Sequence, residues 1–555
     1  MNARLLLSGS VVLLLAVVGA KLEPARAQGP DVGTEAQRES GKQVYLKYCA
    51  QCHGDTGNGD GYATPHLLPK PRNFTSGKFK VRSTPTGALP THQDLVNIIK
   101  RGMPYTSMPA WPELTDQDVS NVAYFIKSLS PDFANAERIP QPVPLPSAPK
   151  TTDESIALGK KLYEETGCVR CHGTLGRGDG PSAPTLRDDW GYPVRPADLA
   201  QSWTFRAGAT REDIFRTMTT GFNGTPMPGF LEALTEEQRW AITDFIVSLS
   251  GNDGPRYTNL VAARHVQDAI DLTKGTANFE SAPVARFPLV GQIMEPGRAF
   301  HPPTTSVKVQ AVYDAESVAI LVRWHDMMAD KSGKNGLSIA VPPEEEQWPA
   351  AASGATAAPS ADDPFADPTA APTTVEPSEF SDAVAIQLPL QAPTGARKPY
   401  FIFGDTAAPV DLWYFDLARS EPQQFTGKGS ADIAPNDTGD VTAVANYDQG
   451  EWSVIFKRPR RGSSGVAFNP GEFTPIAFSV WDGFDRERGN RRALSAWYSL
   501  YVEPENVPSA VGPMIRTAFV IFAIELIVIG WVRWRYGSRS RTARGGQHTQ
   551  PAPTV

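Results

Sequence analysis

Cys49-Ala50-Gln51-Cys52-His53 recurs as Cys168-Val169-Arg170-Cys171-His172, and the two copies use all 4 cysteines of the 555-residue chain. C-x-x-C-H is the attachment pattern for a c-type haem: each thiol adds across a porphyrin vinyl group, and the adjacent histidine is left where a ring nitrogen can bind the iron. A redox dithiol or half a zinc site also uses C-x-x-C. Zinc, however, wants further Cys or His at matched spacing, and the rest of the chain offers no cysteine. The pentapeptides therefore predict two covalently bound haems c, one on Cys49, Cys52 and His53 and one on Cys168, Cys171 and His172. No thiol is left for a structural disulfide.

The repeat extends well past the pentapeptides. Cys49 to Cys168, His53 to His172 and Met108 to Met227 are all 119 positions apart, for which a duplicated unit is the simplest cause. Glycine-rich turns follow both histidines, Gly57-Asn58-Gly59-Asp60-Gly61 and Gly176-Arg177-Gly178-Asp179-Gly180. That density permits positive φ and close approach of backbone to a flat ligand. Helical spacing of apolar residues precedes each motif, over Thr34 to Tyr48 and Ser155 to Thr166. A closing helix is predicted over Thr115 to Leu129 and over Thr235 to Leu249, each opening on an N-cap threonine with Asp118 or Gln238 three residues on. Met108 and Met227 lie in Ser107-Met108-Pro109 and Pro226-Met227-Pro228, where proline denies them a helical home. A thioether opposite an imidazole completes six-coordinate iron and raises its potential. Met108 and Met227 are thus the expected distal ligands; Met103 competes in the first copy, but the repeat aligns it with Phe222.

An N-terminal helix, C-x-x-C-H, a distal methionine loop and a C-terminal helix make both copies resemble class I cytochromes c, over roughly residues 28–251. The expected all-α units are 28–135 and 151–252, with a stiff proline-rich linker at 136–150. The resemblance implies haem attachment outside the cytoplasm. The N-terminus agrees: Arg4, the apolar run Leu5 to Ala20 and Ala25-Arg26-Ala27 read as a signal peptide over 1–27, an uncleaved anchor being the alternative. Arg72 and Arg195 sit in similar basic, proline-rich stretches and are either partners for haem propionates or ordinary surface arginines.

Beyond Asn252 the period changes. Val307 to Tyr313, Val318 to Trp324, Ala383 to Leu388, Val441 to Tyr447, Trp452 to Lys457, Ile476 to Trp481 and Trp497 to Val502 read as strands, with Asp448-Gln449-Gly450 as a hairpin turn. They predict an all-β sandwich over 256–508, interrupted by a disordered insertion at 350–377 that is too polar to pack. This region resembles the gamma subunits of ethylbenzene-dehydrogenase-type molybdenum enzymes, a group that includes nitrite oxidoreductase and chlorate or selenate reductase. The resemblance is carried by Trp324-His325-Asp326, by Asp382 to Pro389, by Phe403-Gly404-Asp405 with Pro409 to Trp413, and by Trp481-Asp482-Gly483 through Ser495-Ala496-Trp497. It implies a non-covalent haem b held by a methionine and a lysine, at places where this chain has Phe403 and Arg492. Phenylalanine cannot ligate iron and arginine stays protonated, so haem b is not expected. His265, His301, His325, Met327 and Met328 are the available substitutes.

Thr517 to Val532 is apolar except for Glu525 and is flanked by Arg516 and by Trp531, Arg533, Trp534 and Arg535. One transmembrane helix is predicted over 513–535, and the arginines after it place the tail, 536–555, in the cytoplasm. Glu525 is costly in lipid and suggests either a partner helix or buried pair, or a protonated or snorkelling residue in a tolerant single span. The protein should then be a single-pass protein of a bacterial inner membrane with its bulk in the periplasm. A net charge of -7 speaks against nucleic acid as a partner. The expected architecture is multidomain: two all-α class I cytochrome c domains, an all-β sandwich and one C-terminal membrane helix. The function it implies is electron transfer without catalysis, between molybdenum/iron-sulfur catalytic subunits and a respiratory redox partner. The alternatives are a di-haem enzyme such as a peroxidase or sulfur-compound oxidoreductase, and a cytochrome with a ligand-binding sandwich.

Overall fold

A computed structural model describes residues 29–250, 254–346, 378–393, 397–505 and 511–537. The expected signal peptide, the polar insertion at 350–377 and tail residues 538–555 lie outside the described residues.

The first helical unit is built on α1 (Glu35–Tyr48), α2 (His92–Arg101) and α3 (Asp116–Ser128), the second on α4 (Asp153–Glu165), α5 (Arg211–Thr220) and α6 (Glu236–Leu249). Each helix begins where a threonine hydroxyl can satisfy an orphan amide. Thr34, Thr91, Thr115, Thr152, Thr210 and Thr235 all accept from the N–H three residues on. The helices α2 and α5 have no counterpart among the predicted elements, although Thr91 with Asp94 and Thr210 with Asp213 mark their starts and Leu95, Val96 and Ile99 give α2 a buried apolar face.

Within each unit the first and last helices cross at a glycine. A Cβ on Gly41 would lie 2.0 Å from the Asn121 carbonyl oxygen, and one on Gly159 1.9 Å from that of Ala241. Only a hydrogen side chain lets these backbones approach so closely. Beside the crossing, Tyr45 packs on Phe125 at 5.0 Å and Tyr163 on Phe245 at 5.2 Å between ring centroids.

The rest of the body is one mixed sheet. Its strands are β1 (Leu260–His265), β2 (Ala285–Pro288), β3 (Val290–Gly291), β4 (Ser306–Tyr313), β5 (Ser317–His325), β6 (Ala383–Pro389), β7 (Val410–Asp416), β8 (Gln423–Gly427), β9 (Ile433–Pro435), β10 (Thr442–Asp448), β11 (Glu451–Pro459), β12 (Phe473–Trp481), β13 (Ala493–Leu494) and β14 (Tyr498–Val502). The order is β10-β11-β5-β4-β1-β14-β12-β6-β7-β8-β9, antiparallel except where β1 runs parallel to β4 and β14. Strand β12 belongs to both halves: Phe473 to Ile476 pair with β14, and Ala477 to Trp481 with β6. Trp413 on β7 and Phe456 on β11 show that the halves fold over one another. Six strands intervene between β7 and β11, which in a flat sheet would mean roughly 34 Å at ~4.8 Å per strand. Their rings are 6.4 Å apart. The predicted sandwich is therefore present, with its core between the two halves.

The seven predicted strands are all found, and Gln449-Gly450, at φ 46° and 74°, forms the expected tight turn between β10 and β11. Strand β7 was not anticipated. Every residue of it is buried, because the outer face of this half is also covered, by Ile402, Phe403 and their neighbours, so no polar alternation marks it.

After the sandwich, α7 (Val511–Gly537) runs for 27 residues, about 40 Å at 1.5 Å per residue. Nothing in the described chain buries it. Its length and composition suit a bilayer span.

Candidate haem sites and their supports

Both C-x-x-C-H motifs end in a single helical turn, Ala50–His53 and Val169–His172. That turn brings thiol, thiol and imidazole to one side of the backbone. The imidazoles are aimed by a backbone carbonyl: His53 Nδ1 lies 3.0 Å from the Arg72 oxygen, and His172 Nδ1 3.0 Å from that of Ala197. With Nδ1 carrying the donated proton, Nε2 keeps a free lone pair, the form a metal requires. Burial lowers the pKa of both rings and so favours the same neutral state.

The turns that follow are stapled to the helices in the same way twice. Tyr45 donates to the Gly54 carbonyl at 2.7 Å and Tyr163 to that of Gly173 at 2.7 Å. Gly59 and Gly178 are at positive φ, and a Cβ on either would come within 2.8 Å of a carbonyl, of Pro71 and Pro196 respectively. These two glycines are thus required where the chain passes under the proline stretch that carries the imidazole's acceptor.

The methionine loops also correspond. The Met103 amide donates to the Met108 carbonyl at 3.0 Å, and the Phe222 amide to that of Met227 at 3.1 Å, which upholds the pairing of Met103 with Phe222. Met227 packs with Cys168 on the core of the second unit. In the first unit it is Trp111, three residues past Met108, that packs with Cys49.

The donor set fits c-type haems. Beyond thiols and imidazoles, the Trp111 Nε1 is buried with no acceptor. Near the first site Arg72, Lys80 and Arg206 gather, with Asp188 facing Arg72 and Lys80, and the cations outnumber it. Burial pulls Arg72 down to about 10, and burial with Arg72 and Arg206 nearby pulls Lys80 down to about 7. Such a cluster suits the carboxylate groups of a haem.

Arg72 and Arg195 prove not to be equivalent. The equivalent of Arg72, by its hold on the imidazole, is Ala197. The Arg72 guanidinium lies 4.3 Å over the Trp190 ring, whereas Arg195 reaches into the sandwich and pairs with Asp482 at 3.1 Å and Asp485 at 2.9 Å. Neither acceptor carbonyl was legible beforehand, because any residue supplies one; the proline just before each, Pro71 and Pro196, was the available signal.

These contacts arrange the units in series. Trp190 also abuts Gly224 in the Met227 loop, with a Gly224 Cβ placed 2.8 Å from its ring. Arg82 donates to the Gly221 carbonyl at 3.2 Å, and Arg101 to that of Ala207 at 2.8 Å. The proximal support of the first site thus packs on the distal loop of the second. The second site in turn rests on the sandwich, through Arg195 and through Arg177, which meets Glu451 at 3.3 Å.

Comparison with known proteins agrees with this geometry. The cytochrome c family matches residues 39–130 and 156–250, and the ethylbenzene dehydrogenase family matches 277–434. The chain carries two cytochrome c domains and an ethylbenzene dehydrogenase gamma-type domain. Among its relatives is a Haloferax mediterranei protein, ORF7, provisionally assigned as a respiratory nitrate reductase heme subunit; it is 31% identical over 136 residues, 24% of this chain and 48% of that protein. The chlorate reductase subunit gamma of Ideonella dechloratans is 26% identical over 139 residues, 24% of this chain and 56% of that one. The dimethylsulfide dehydrogenase subunit gamma of Rhodovulum sulfidophilum is 24% identical over 154 residues, 26% and 56% of the respective chains. The chain spans about half the length of these curated relatives.

In the gamma-type domain Phe403 and Arg492, the pair that the resemblance sets where haem b ligands would stand, do not fit that group. Arg492 is fully buried with its guanidinium carbon 3.9 Å over the Phe403 ring. Burial lowers it to about 9, still a cation at neutral pH. A charged guanidinium stacked on a phenyl ring offers no lone pair. Of the named substitutes, His325 Nε2 lies 2.5 Å from the Arg177 carbonyl and His301 Nε2 2.7 Å from that of His66, so both these nitrogens are turned to the cytochrome domains.

Proposed function

We propose that this chain is a membrane-anchored, periplasmic electron-transfer subunit that relays electrons between a molybdenum/iron-sulfur oxidoreductase and a second redox partner. The observation that carries this reading is the duplicated site itself: each copy supplies two thiols, a carbonyl-aimed imidazole and a methionine on a matched loop. A c-type haem held so supplies a one-electron iron couple. His53 and His172 provide the proximal nitrogens, and Met108 and Met227 the distal thioethers. With both axial positions filled by the chain's own residues, neither site keeps an open position for a substrate, which catalysis at iron needs.

The proposed division is 28–135 and 151–252 for the cytochromes, 256–508 for the sandwich and 513–535 for the anchor. The gamma and heme subunits among the relatives support a place beside a molybdenum enzyme, with the sandwich as docking module. Phe403 and Arg492 leave that module without haem b. The bare apolar surface of α7 supports anchoring.

The test is the full chain purified from its native membrane. Two covalent haems, no haem extractable into acid acetone, no carbon monoxide binding by the reduced protein and co-purifying molybdenum are expected. Carbon monoxide binding to the unmodified protein, or peroxide turnover, would instead assign a di-haem enzyme.

A further inference from the structure

Three of the stretches that carry the gamma-type resemblance each contribute one aspartate to a single buried spot. Asp326 follows β5, Asp382 precedes β6 and Asp482 follows β12, so both halves of the sandwich meet there. One carboxylate oxygen from each lies within 4.8 Å of the others, and the residues are 2%, 0% and 1% exposed.

The surroundings are built for ionised carboxylates. Asp382 accepts from the Gly483 amide at 2.8 Å, the Asp330 amide at 2.8 Å and Trp452 Nε1 at 2.9 Å. Asp482 accepts from the Asp485 amide at 3.0 Å and from Arg195 at 3.1 Å. N–H donors of this kind favour the charged form over the acid. Yet the charge is not balanced. Asp330, 3% exposed, stands beside the three, and one oxygen of Asp330 and one of Asp326 have no hydrogen-bond partner. Among the described residues Arg195 is the cation that forms an ion pair with the three, through Asp482, and it is shared with Asp485, while Lys331 lies over the Trp452 ring. Burial and mutual repulsion push Asp326 and Asp382 well above the usual carboxylate range, as happens where a counter-charge is missing.

We propose that Asp326, Asp382 and Asp482, with Asp330 beside them, bind a divalent calcium ion. All the donors are oxygen, which selects a hard cation over zinc or copper. His325 Nε2, on the residue before Asp326, lies 2.5 Å from the Arg177 carbonyl, and Trp452 Nε1 is a donor to Asp382. A dry, carboxylate-rich site suits calcium, which takes 6–8 oxygen ligands, better than magnesium, which keeps several of its waters. The ion fixes the two sheet halves together and holds the frame on which Arg195 rests. Arg195 is two residues from Ala197, whose carbonyl aims His172. The site is therefore structural, and it steadies the seat of the second cytochrome domain.

The experiment uses the full-length holoprotein in detergent, with calcium as the probe. Elemental analysis after gel filtration in metal-free buffer is expected to give close to one calcium per chain beside two irons. Chelation with EGTA should lower the melting temperature by about 5 °C, and calcium, but not an equal concentration of magnesium, should restore it. In Asp326→Asn the calcium affinity should fall at least tenfold and the melt should no longer respond to EGTA. Fewer than one calcium per ten chains, with identical melts in EGTA and in calcium, would overturn the proposal; it would mean that protons neutralise the cluster. Equal restoration by magnesium would overturn the choice of calcium. If Asp326→Asn does not fold, the chelation and restoration of the unmodified protein decide alone.

Discussion

Replacing Gly159 with alanine pits two effects of opposite sign against each other. By helix propensity alone the change is favourable, since alanine is preferred to glycine inside a helix by about 1 kcal/mol. The new methyl, however, would sit 1.9 Å from the Ala241 carbonyl oxygen and 2.9 Å from Phe245 Cβ. Ordinary contact needs about 3.4 Å, so α4 and α6 must part by roughly 1.5 Å along that line, and because the obstacle is backbone rather than a side-chain tip nothing soft can yield. Overpacking of a rigid core costs about 1–3 kcal/mol, and this contact belongs at the upper end. The net expectation is a destabilisation of about 2 kcal/mol. For a domain of about 100 residues, at 4–8 °C per kcal/mol, the melting temperature of the second cytochrome domain falls by roughly 8–16 °C. The assay is a thermal melt of the holoprotein followed in the haem absorbance, with Gly41→Ala, whose methyl meets the Asn121 carbonyl at 2.0 Å, as the matching change in the first domain. An unchanged or raised melting temperature in both variants would refute the crossing geometry, because propensity would then have won.

Met227→Ala should lower the potential of one haem by on the order of 0.1 V and let carbon monoxide bind its reduced iron, while the other haem keeps its potential; an unaltered redox titration would remove Met227 from the coordination sphere. His301 is held below its ordinary value by burial, so the unfolded chain binds the extra proton and stability is lost as pH falls from about 6.5 toward the depressed folded value. The drop in melting temperature between pH 7 and 5.5 should accordingly be smaller in His301→Gln than in the parent, and equal slopes would contradict this. Gly450→Ala should cost about 1–2 kcal/mol in urea unfolding, since the residue is at φ 74° and its Cβ would lie 3.1 Å from the Asp179 carboxylate; a midpoint identical to the parent's would mean that the hairpin does not pack on the second cytochrome domain.

What was readable from sequence was whatever is written in residue type at short range. The C-x-x-C-H turns, the capping threonines Thr115 and Thr235 and the Gln449-Gly450 turn depend on local spacing, and the structure has single helical turns, N-caps and a tight turn at those places. That Phe403 and Arg492 stand where the gamma-subunit resemblance would put haem b ligands came from that resemblance and not from spacing, and neither told that the two stack at 3.9 Å. The tertiary structure alone decided what joins distant parts of the chain. It separated Arg72 from Arg195, one lying on Trp190 and the other crossing into the sandwich, though their sequence surroundings look alike. It chose the Arg72 and Ala197 carbonyls to aim the imidazoles, a role that no side chain encodes. It brought Asp326, Asp382 and Asp482 together from the ends of three strands. Side-chain identity fixes what a residue can do, but burial and the return of the chain determine which partners it meets, and an aspartate acquires an unbalanced charge only once water has been excluded from around it.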